Sequence, residues 1–526
     1  MYFRSFKALA VTASFLCLAS VACTDLTVEP KSTATEVNVF TDVSSYRAFI
    51  AKAYGGLAVG GQQGGDGQTD IQGIDGGFSQ YIRLYWQLQE LPTDDAVIAW
   101  GDDGLSGLVQ STWATTNPFV VAMYYRIYFQ VGMANEFLRQ TTDEKLSSRG
   151  QNNPTIKATI TQYRAEARFL RALSYWHGID LFASIPLVTE ADALGATPPK
   201  QATRAEVYAF IVSELTAIQG ALPPAGVPSS YGRATGAAAS ILLAHVYLNA
   251  AVYTGTPNYA GALAAASAAI AGPYSLDPSY RHLFQADNNT SPEIIFAVPE
   301  DGLKTETYGS TTFLIHASCG GSMNPSDYGI DGCWYGLRMK PEAVNRFTAG
   351  DGRTYFFTAV GNGAAINSIG EFNDGIKAPK FSNLTSAGVR GSHATFADTD
   401  YPMFRLADAY LIYAEAALRG GGGSTAQALT YVNALRQRAF GNTSGNITSG
   451  QLTLDFLLDE RGRELLWEGQ RRMDLIRYGK FTGSSYLWSW KGGVKLGAST
   501  DAHLNLYPIP ANEISANPNL TQNPGY

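Results

Sequence analysis

The sequence has few of the residues that usually build metal sites and catalytic sites. Its 526 residues include only six histidines and four cysteines, and none of them stand at a CxxC, HExxH or paired-histidine spacing. Since zinc and similar ions are held by clusters of such ligands, a metal site has little support. A nucleophile elbow and a phosphate-cradling glycine loop with its lysine are also missing. We therefore expect no metal, no cofactor and no catalytic residue in a protein that is not an enzyme.

Charged residues are scarce as well. They make up 16% of the chain, with 38 lysines and arginines against 45 aspartates and glutamates, which gives a net charge of −7. No basic patch that could neutralise phosphates stands out, so nucleic acid is not an expected partner. Hydrophobic residues, at 45%, indicate a globular chain, and the aromatic share of 12% provides rings that can pack in a core or grip a flat ligand.

No hydrophobic run after the N-terminus is long enough to span a bilayer. The first run, Ala8–Val21, follows Arg4 and Lys7 and is itself too short to cross a membrane comfortably, as is typical of a signal peptide. Small residues then lead directly to Cys23. We expect residues 1–22 to be a lipoprotein signal peptide and Cys23 to carry lipid, which would anchor the mature chain to a membrane. The alternative is an ordinary cleaved signal in which this cysteine is incidental.

The remaining cysteines predict a closed loop. Cys17 lies in the signal peptide, which leaves Cys319 and Cys333 in an exported chain where disulfides persist. A disulfide between them would close the glycine-rich segment Gly320–Gly332. Two free thiols, or two metal ligands without further partners, are the alternatives.

Helical periodicity recurs along most of the chain. It predicts helices at Val43–Leu57, Pro118–Leu138, Thr155–Phe182, Ala237–Leu248, Tyr259–Ile270, Ala407–Leu418 and Ala426–Arg438. The two alanine-rich helices in the middle are similar to a tetratricopeptide hairpin, because small residues at helical spacing let two helices approach closely. Plain antiparallel helices without a repeat origin are the alternative.

Two stretches have a different composition. Gly55–Gly77 is rich in glycine, and we expect no regular element to survive it. Residues 290–400 begin with a strand-like run, Glu293–Val298, and continue with glycine, asparagine, serine and scattered aromatics. This composition predicts long loops and short strands, and loops on a rigid scaffold are where binding residues usually lie.

Three segments together resemble the SusD/RagB family of outer-membrane nutrient-binding lipoproteins. They are Tyr163–Glu190, the acidic and basic segment Leu457–Phe481 that we expect to be one helix, and the C-terminal Tyr507–Tyr526. Shorter matches are Leu91–Asp95 and Tyr280–Val298. The resemblance implies a mainly α-helical fold of tetratricopeptide-like hairpins with a loop-rich, irregular part containing short strands. It also implies glycan binding at the outer membrane beside a TonB-dependent, SusC-like transporter.

The resemblance also gives the expected organisation of the chain. Residues 23–40 would be a lipid-anchored extended tether, and residues 41–526 a single SusD-like domain. Its helical scaffold would cover about residues 41–290 and 401–480, with loop-rich ligand-binding insertions at about residues 55–117 and 290–400.

The charged residues of the segment Leu457–Phe481 have two interpretations. Glu460, Glu464 and Glu468 stand four apart, and a pair of carboxylates could act as the acid and base of a glycosidase. Residues four apart on a helix also form ion pairs with neighbouring arginines. We expect structural ion pairs here.

Aromatic residues in the loops are the expected ligand contacts. A sugar ring packs its C–H face on an aromatic ring, while its hydroxyls need polar partners. The ligand-binding residues predicted on this basis are Trp100, Asp102, Tyr328, Asp331, Trp334 and Tyr335. Trp488 and Trp490 are weaker candidates. A disulfide next to Trp334 would hold its ring stiffly, so that less entropy is lost on binding.

The sequence therefore predicts a cell-surface glycan-binding lipoprotein that captures oligosaccharide or polysaccharide and delivers it to the transporter. Three alternatives stay open. The scaffold could bind peptides or another nutrient, it could be a surface glycosidase, or it could be a protein-interaction scaffold, since tetratricopeptide units often bind partner chains.

Overall fold

The computed structural model describes residues 39–65, 67–193, 195, 197–357 and 363–526. The predicted signal peptide, the predicted lipidation site Cys23 and nearly all of the predicted tether lie outside the described residues. Contacts divide the chain into two units, Met1–Ser45 and Tyr46–Tyr526, and the architecture below is that of the second, apart from the first three residues of the helix Val43–Ala58. Within the described ranges, no helix is both long and apolar enough to cross a membrane.

Helices dominate the regular structure. In the first half of the chain they are α1 (Val43–Ala58), α2 (Tyr81–Glu90), α3 (Leu105–Gln110), α4 (Pro118–Gln140), α5 (Asp143–Ser148), α6 (Pro154–Phe182), α7 (Arg204–Ile218), α8 (Gly236–Leu248), α9 (Ala250–Thr254) and α10 (Tyr259–Ile270). In the second half they are α11 (Ser310–Ser318), α12 (Pro341–Asn345), α13 (Leu406–Leu418), α14 (Thr425–Phe440), α15 (Leu454–Glu464), α16 (Arg471–Arg477) and α17 (Ala511–Ala516). The prediction of a mainly α-helical protein is confirmed.

Side-chain caps explain where the long helices begin. The Asn153 side chain accepts a hydrogen bond from the main chain of Ile156, and Pro154 fills the first turn of α6, where no amide hydrogen is needed. Helix α7 begins with a capping box formed by Thr203 and Glu206. These local signals can be recognised in the sequence, and the helices predicted from periodicity agree with the observed ones to within a few residues at each end.

The alanine-rich helices pack as the sequence predicts. Helix α10 buries the small side chains of Ala262, Ala266 and Ala269 along one face, and it packs on α8, which is alanine-rich as well. Helix α13 packs on α10, and α14 packs on α13. Small residues at these contacts bring the helix axes close together. The result is a row of packed helices that carries the irregular part of the chain.

The segment Leu457–Phe481 is not one helix, so that prediction is wrong. Helix α15 ends at Glu464 and α16 begins at Arg471. Between them, Trp467 and Gly469 have φ angles of 60° and 75°, which a right-handed helix cannot contain. A residue of another helix stabilises this break, because the Trp86 indole donates a hydrogen bond of 2.9 Å to the carbonyl oxygen of Trp467.

The glycine-rich stretch holds more regular structure than expected. Helix α1 continues through Gly55 to Ala58, and a short 3₁₀ turn covers Gly76–Phe78. Gly56 suits the helix because a Cβ there would overlap the side chain of Gln130 on α4. The close approach of two helices therefore compensates for the low helix propensity of glycine. The expectation that this stretch holds no regular element is wrong at both ends.

The described strands form three two-stranded antiparallel ladders. They are β1 (Ala96–Ile98) with β5 (Leu337–Met339), β2 (Ile185–Pro186) with β3 (Gln201–Ala202), and β4 (Ile294–Val298) with β6 (Tyr401–Arg405). The strand predicted at Glu293–Val298 is confirmed as β4. Helix α11, within the region predicted to be loops and strands, was not expected.

The three glutamates of the broken segment lie buried in ion pairs. Glu460 contacts Arg353, Arg436 and Arg463. Glu464 contacts Arg353, Arg405 and Arg438. Glu468, beyond the end of α15, contacts Lys380 and Arg405. The expectation of structural ion pairs is confirmed, although most partners come from other segments of the chain rather than from the same helix.

Candidate functional site

The β1–β5 ladder brings two predicted site residues together. Ile98 pairs with Leu337, and the amide of Ala99 donates to the carbonyl oxygen of Gly336 at 2.9 Å. Because the strands are antiparallel, the residue that follows β1 meets the residues that precede β5. The Trp100 indole donates a hydrogen bond of 2.8 Å to the carbonyl oxygen of Trp334, and their ring centroids lie 6.4 Å apart.

The segment before β5 is fixed across the C-terminal end of α11. Carbonyl groups at the end of a helix have no partner within the helix, and here a passing segment supplies donors for them. The three hydrogen bonds run from Trp334, Tyr335 and Gly336 to the carbonyl oxygens of His316, Cys319 and Ala317, at 2.8, 3.0 and 2.9 Å. A disulfide joins Cys319 to Cys333, with a Cα–Cα distance of 4.7 Å. The backbone of Trp334 is therefore held on both sides.

His316 supports the ring of Trp334 from below. The two rings stack with centroids 4.5 Å apart and planes inclined by 22°. The imidazole nitrogens lie 2.6 Å from the carbonyl oxygen of Gly332 and 2.8 Å from that of Thr395. Burial lowers the pKa of His316, and hydrogen bonds to these two carbonyls oppose that effect. The imidazole is thus a fixed surface on which the indole rests.

Tyr308 adds a third ring that the sequence analysis did not select. It lies just before α11, its ring centroid is 5.8 Å from that of Trp334, and the two ring planes are inclined by 66°. On its other side it packs against Phe396 at 5.4 Å. We call Trp100, Tyr308 and Trp334 the aromatic cluster, and all three side chains are partly exposed. No local pattern marks Tyr308, because only the fold places it beside Trp334.

A buried arginine lies behind the aromatic cluster. Arg83, 3% exposed, donates from Nη1 to the carbonyl oxygens of Gly77 and Tyr308, at 2.7 and 2.8 Å. Its guanidinium carbon is 5.5 Å from the centre of the Trp100 ring. Burial lowers the pKa of Arg83 to about 9, and the charge of Asp102 opposes this shift most strongly. Asp102, two residues after Trp100 in the chain, is exposed.

Arg83 was also not among the site residues predicted from the sequence. It is the only basic residue of α2, whose other charged residue is Glu90 at the opposite end of the helix. A single arginine in an otherwise neutral, aromatic helix is the signal that could have pointed to it.

Asp331 and Tyr335 border the aromatic cluster without joining it. The amide of Asp331 donates to the carbonyl oxygen of Ala394 at 3.1 Å, and its carboxylate accepts a hydrogen bond from the Thr395 hydroxyl. Tyr335 has a φ of 53° and packs its ring against Phe372 at 5.4 Å, with half of its surface exposed. Asp331 therefore positions a neighbouring loop, and Tyr335 faces a different ring.

The other predicted aromatic residues lie elsewhere. Tyr328 lines a separate shallow cavity with Tyr355 and Arg281. Trp488 is 1% exposed, and Trp490 donates its indole hydrogen to the carbonyl oxygen of Ile366 at 3.1 Å. Tyr328 therefore lies outside the aromatic cluster, on a separate surface.

The chemistry of the aromatic cluster is suited to non-covalent binding. It offers ring faces, a buried cation and an exposed carboxylate. In the part of the chain that the structure describes, no group of three or more histidine, cysteine, aspartate or glutamate side chains could hold a metal ion. The arrangement can hold a ligand that combines apolar faces with hydroxyl groups.

Comparison with known families gives two matches. Residues 357–526 match the family model described as "SusD family", and residues 87–248 match one described as "Starch-binding associating with outer membrane". The second match includes Trp100 and Asp102, whereas Tyr308 and Trp334 lie between the two matched ranges.

Among curated relatives, the "Starch-binding protein SusD" of Bacteroides thetaiotaomicron is 35% identical over 530 residues, covering 91% of this chain and 91% of that protein. The "SusD-like protein P2" of Formosa agariphila is 26% identical, covering 81% of this chain and 85% of that protein. Both similarities extend over most of each chain.

Solved structures share the fold. A SusD-superfamily protein of Bacteroides thetaiotaomicron has a TM-score of 0.70 at 21% identity, covering 92% of this chain and 99% of that one. Surface glycan-binding protein A of the same species, in complex with laminarihexaose, has a TM-score of 0.69 at 20% identity, covering 91% and 99%. The tetratricopeptide-like helical fold expected from the sequence is thereby confirmed.

Proposed function

Because the chain belongs to the SusD family, we propose that it binds an oligosaccharide at the aromatic cluster of Trp100, Tyr308 and Trp334. The relative with 35% identity is named a starch-binding protein, and a structural relative holds laminarihexaose. The main support for this proposal is that three partly exposed rings, from three segments of the chain, lie together in front of a buried arginine. Such a cluster is the surface on which sugar rings stack.

The residues divide into two roles. The rings take the C–H faces of the sugar, and the hydroxyl groups of the sugar require polar partners at the edge. Asp102 is exposed beside the cluster and can accept hydrogen bonds from these hydroxyls. Arg83 acts from behind, because its Nη1 is committed to two main-chain carbonyls, one of which belongs to Tyr308. It therefore fixes the position of the third ring.

The ring orientations favour a curved saccharide. The planes of Trp100 and Trp334 are inclined by 47°, and those of Tyr308 and Trp334 by 66°. A flat ribbon of β-1,4-linked glucose would need rings in nearly one plane, whereas an α-1,4-linked chain bends from one unit to the next. We therefore expect maltoheptaose to bind better than cellohexaose, with laminarihexaose as the third ligand to compare.

Calorimetric titration of these three ligands into the purified protein tests the proposal. Replacing Trp334 by alanine should weaken binding of the preferred ligand by about 1–3 kcal/mol, by analogy with ring stacking on nucleobases. Tyr431→Ala is a matched control, because Tyr431 is a partly exposed ring that stacks on Tyr410 at 4.2 Å on the helical scaffold. Equal affinities of the Trp334→Ala variant and the wild type would overturn the assignment.

We propose that binding takes place without cleavage. The glutamates that could suggest a glycosidase, Glu460, Glu464 and Glu468, are buried and paired with arginine or lysine. A carboxylate held in this way cannot reach a glycosidic bond or exchange a proton with it. Incubation with starch, followed by a reducing-sugar assay, should show no increase over the buffer control, and sustained release of reducing ends would contradict this part of the proposal.

The cellular role follows from the family and is also a proposal. We propose that Cys23 carries the lipid, that the chain faces the cell exterior at the outer membrane, and that it delivers its ligand to a SusC-like TonB-dependent transporter. Support comes from the match to a family described as associating with the outer membrane. Palmitate labelling that is lost in Cys23→Ala, surface proteolysis of intact cells and copurification with the transporter test the three parts separately.

A further inference from the structure

Tyr328 lies in a cavity that the aromatic cluster does not use. The cavity has a volume of about 210 Å³ and is shallow. Four of its seven lining residues are aromatic, namely Tyr328, Tyr355, Phe356 and Phe357. All four are partly exposed. Shallow surfaces rich in partly exposed rings are the kind of surface on which a saccharide chain can lie, because stacking needs ring faces rather than deep enclosure.

Arg281, which forms no ion pair with a carboxylate of the described residues, lines the same cavity. Nη1 of Arg281 donates to the carbonyl oxygens of Pro379 and Lys380, at 2.8 and 3.1 Å, and its guanidinium carbon lies 4.6 Å from the centre of the Tyr355 ring. Burial lowers the pKa of Arg281, and across the described residues no carboxylate forms an ion pair with it. Arg353, close by in the sequence, instead contacts Asp351 and two glutamates. Arg281 is thus a donor beside exposed rings rather than a member of the buried ion-pair network.

Main-chain and ring contacts connect this cavity to the aromatic cluster. The amide of Asn383 donates to the carbonyl oxygen of Tyr328 at 2.8 Å, and its side chain donates to that of His393, also at 2.8 Å. His393 stacks on Phe396, which packs against Tyr308 in the aromatic cluster. The two sites are therefore held at a fixed separation.

The distance between Tyr328 and Trp334 is short enough for one ligand to reach both residues. Tyr328 and Trp334 are six residues apart in the chain, so their Cα atoms lie at most about 22 Å from each other. An oligosaccharide of several units spans such a distance.

We propose that Tyr328 and Tyr355 form a second contact for the same saccharide chain that the aromatic cluster holds. Arg281 supplies hydrogen-bond donors to its hydroxyl groups. This inference rests on the proposed function and adds a dependence on chain length. Once one end of the saccharide is bound, the second contact is intramolecular, so long ligands bind more tightly than short ones although each contact alone is weak.

Calorimetric titration with maltotriose and maltoheptaose tests the second contact. Tyr355→Ala should lower the affinity for maltoheptaose about tenfold, the size of one lost stacking contact, and should leave maltotriose binding unchanged. Tyr355→Phe keeps the ring and should retain most of the affinity for maltoheptaose. Because Tyr355 also lies parallel to the buried Tyr280, Tyr328→Ala provides a second variant on a different segment, with the same expected selectivity.

The outcomes separate this inference from the proposed function. If both alanine variants bind maltoheptaose as tightly as the wild type, or lose affinity for both ligands equally, the second contact is refuted while binding at the aromatic cluster stands. If the wild type binds neither ligand and no other saccharide, the proposed function fails and the second contact fails with it. Thermal unfolding of each variant, compared with the wild type, shows whether the scaffold is intact.

Discussion

The indole nitrogen of Trp100 donates a hydrogen bond to the main-chain carbonyl oxygen of Trp334, across 234 positions of the sequence. One tryptophan thereby fixes the backbone of the other, and the two rings become a single surface. The bond is a consequence of the β1–β5 ladder, which ends immediately beside it.

Replacing Trp100 by phenylalanine tests this bond directly. The variant keeps an aromatic ring but loses the donor, so the Trp334 carbonyl loses its partner and a net hydrogen-bond contribution of about 1 kcal/mol. We expect saccharide affinity, measured by calorimetry, to fall several-fold. Trp490→Phe is the control, because its indole makes the same kind of bond to a main-chain carbonyl, that of Ile366, away from the site. Equal losses in the two variants would contradict a specific role for Trp100.

The disulfide should matter for affinity as well as for stability. Replacing Cys319 and Cys333 together by alanine opens the loop, and closing a loop of this length stabilises a protein by about 3 kcal/mol. We expect a lower unfolding midpoint in urea and weaker saccharide binding, because the backbone of Trp334 becomes less fixed. Far-ultraviolet circular dichroism should show unchanged helix content. Saccharide affinity equal to that of the wild type would show that the ring is held without the disulfide.

Removing one charge from the buried ion-pair network should be costly. Burial alone would raise the pKa of Glu464, but the charges of Arg438, Arg405 and Arg353 hold it well below its ordinary value. Glu464→Gln leaves these arginines with one carboxylate fewer, and we expect a loss of about 3–5 kcal/mol in the free energy of unfolding measured in urea.

The control for Glu464→Gln is Asp455→Asn, which removes an exposed ion pair with Lys480. The Asp455 side chain is 81% exposed, so the loss should stay below about 1 kcal/mol. Similar losses in both variants would contradict the distinction between buried and exposed pairs in this protein.

A buried histidine should make stability depend on pH. The ring of His177 stacks on Tyr85 at 4.0 Å, and burial lowers its pKa from 6.5 to about 3. The unfolded chain therefore binds a proton that the folded chain does not, at any pH between these two values. Its contribution to stability is complete above pH 6.5 and is lost progressively as the pH falls towards 3.

Urea unfolding at pH 7.5 and pH 5.5 measures this dependence. His177→Gln cannot titrate in this range, yet its amide can still form a hydrogen bond with the Tyr81 hydroxyl, which lies 2.8 Å from Nδ1 of His177. The wild type should lose about 1 kcal/mol more than the variant between the two pH values, since one unit of pKa corresponds to about 1.4 kcal/mol. Identical losses would show that His177 is not protonated on unfolding in this range.

Much of the scaffold could be predicted because its signals are local. Helix α6 begins at Pro154 behind an asparagine cap and ends at Phe182, within one residue of the predicted bounds. The break at Trp467 could not be predicted, because it depends on a hydrogen bond from Trp86, 381 positions away. The local pattern of charged and apolar residues continues across the break, so it gives no sign of an interruption that a distant side chain imposes.

The candidate site, like the scaffold, has residues that could be predicted from the sequence and residues that could not. Trp100 and Trp334 could be selected because tryptophans in polar, glycine-containing loops stand out in a sequence. Tyr308 and Arg83 could not be selected, because the contact between the Arg83 guanidinium and the Tyr308 carbonyl joins residues that are 225 positions apart in the sequence. Tyr328 was selected for the same reason as Trp334. Its position, however, depends on a hydrogen bond from the Asn383 amide to the Tyr328 carbonyl oxygen, which no spacing in the sequence reveals.

A crystal structure of the protein soaked with maltoheptaose shows directly whether the aromatic cluster is the saccharide site. We expect sugar rings packed against Trp100, Tyr308 and Trp334, with hydroxyl groups near Asp102 and density that continues towards Tyr355. Sugar bound at another surface, with the faces of these three rings uncovered, would contradict it.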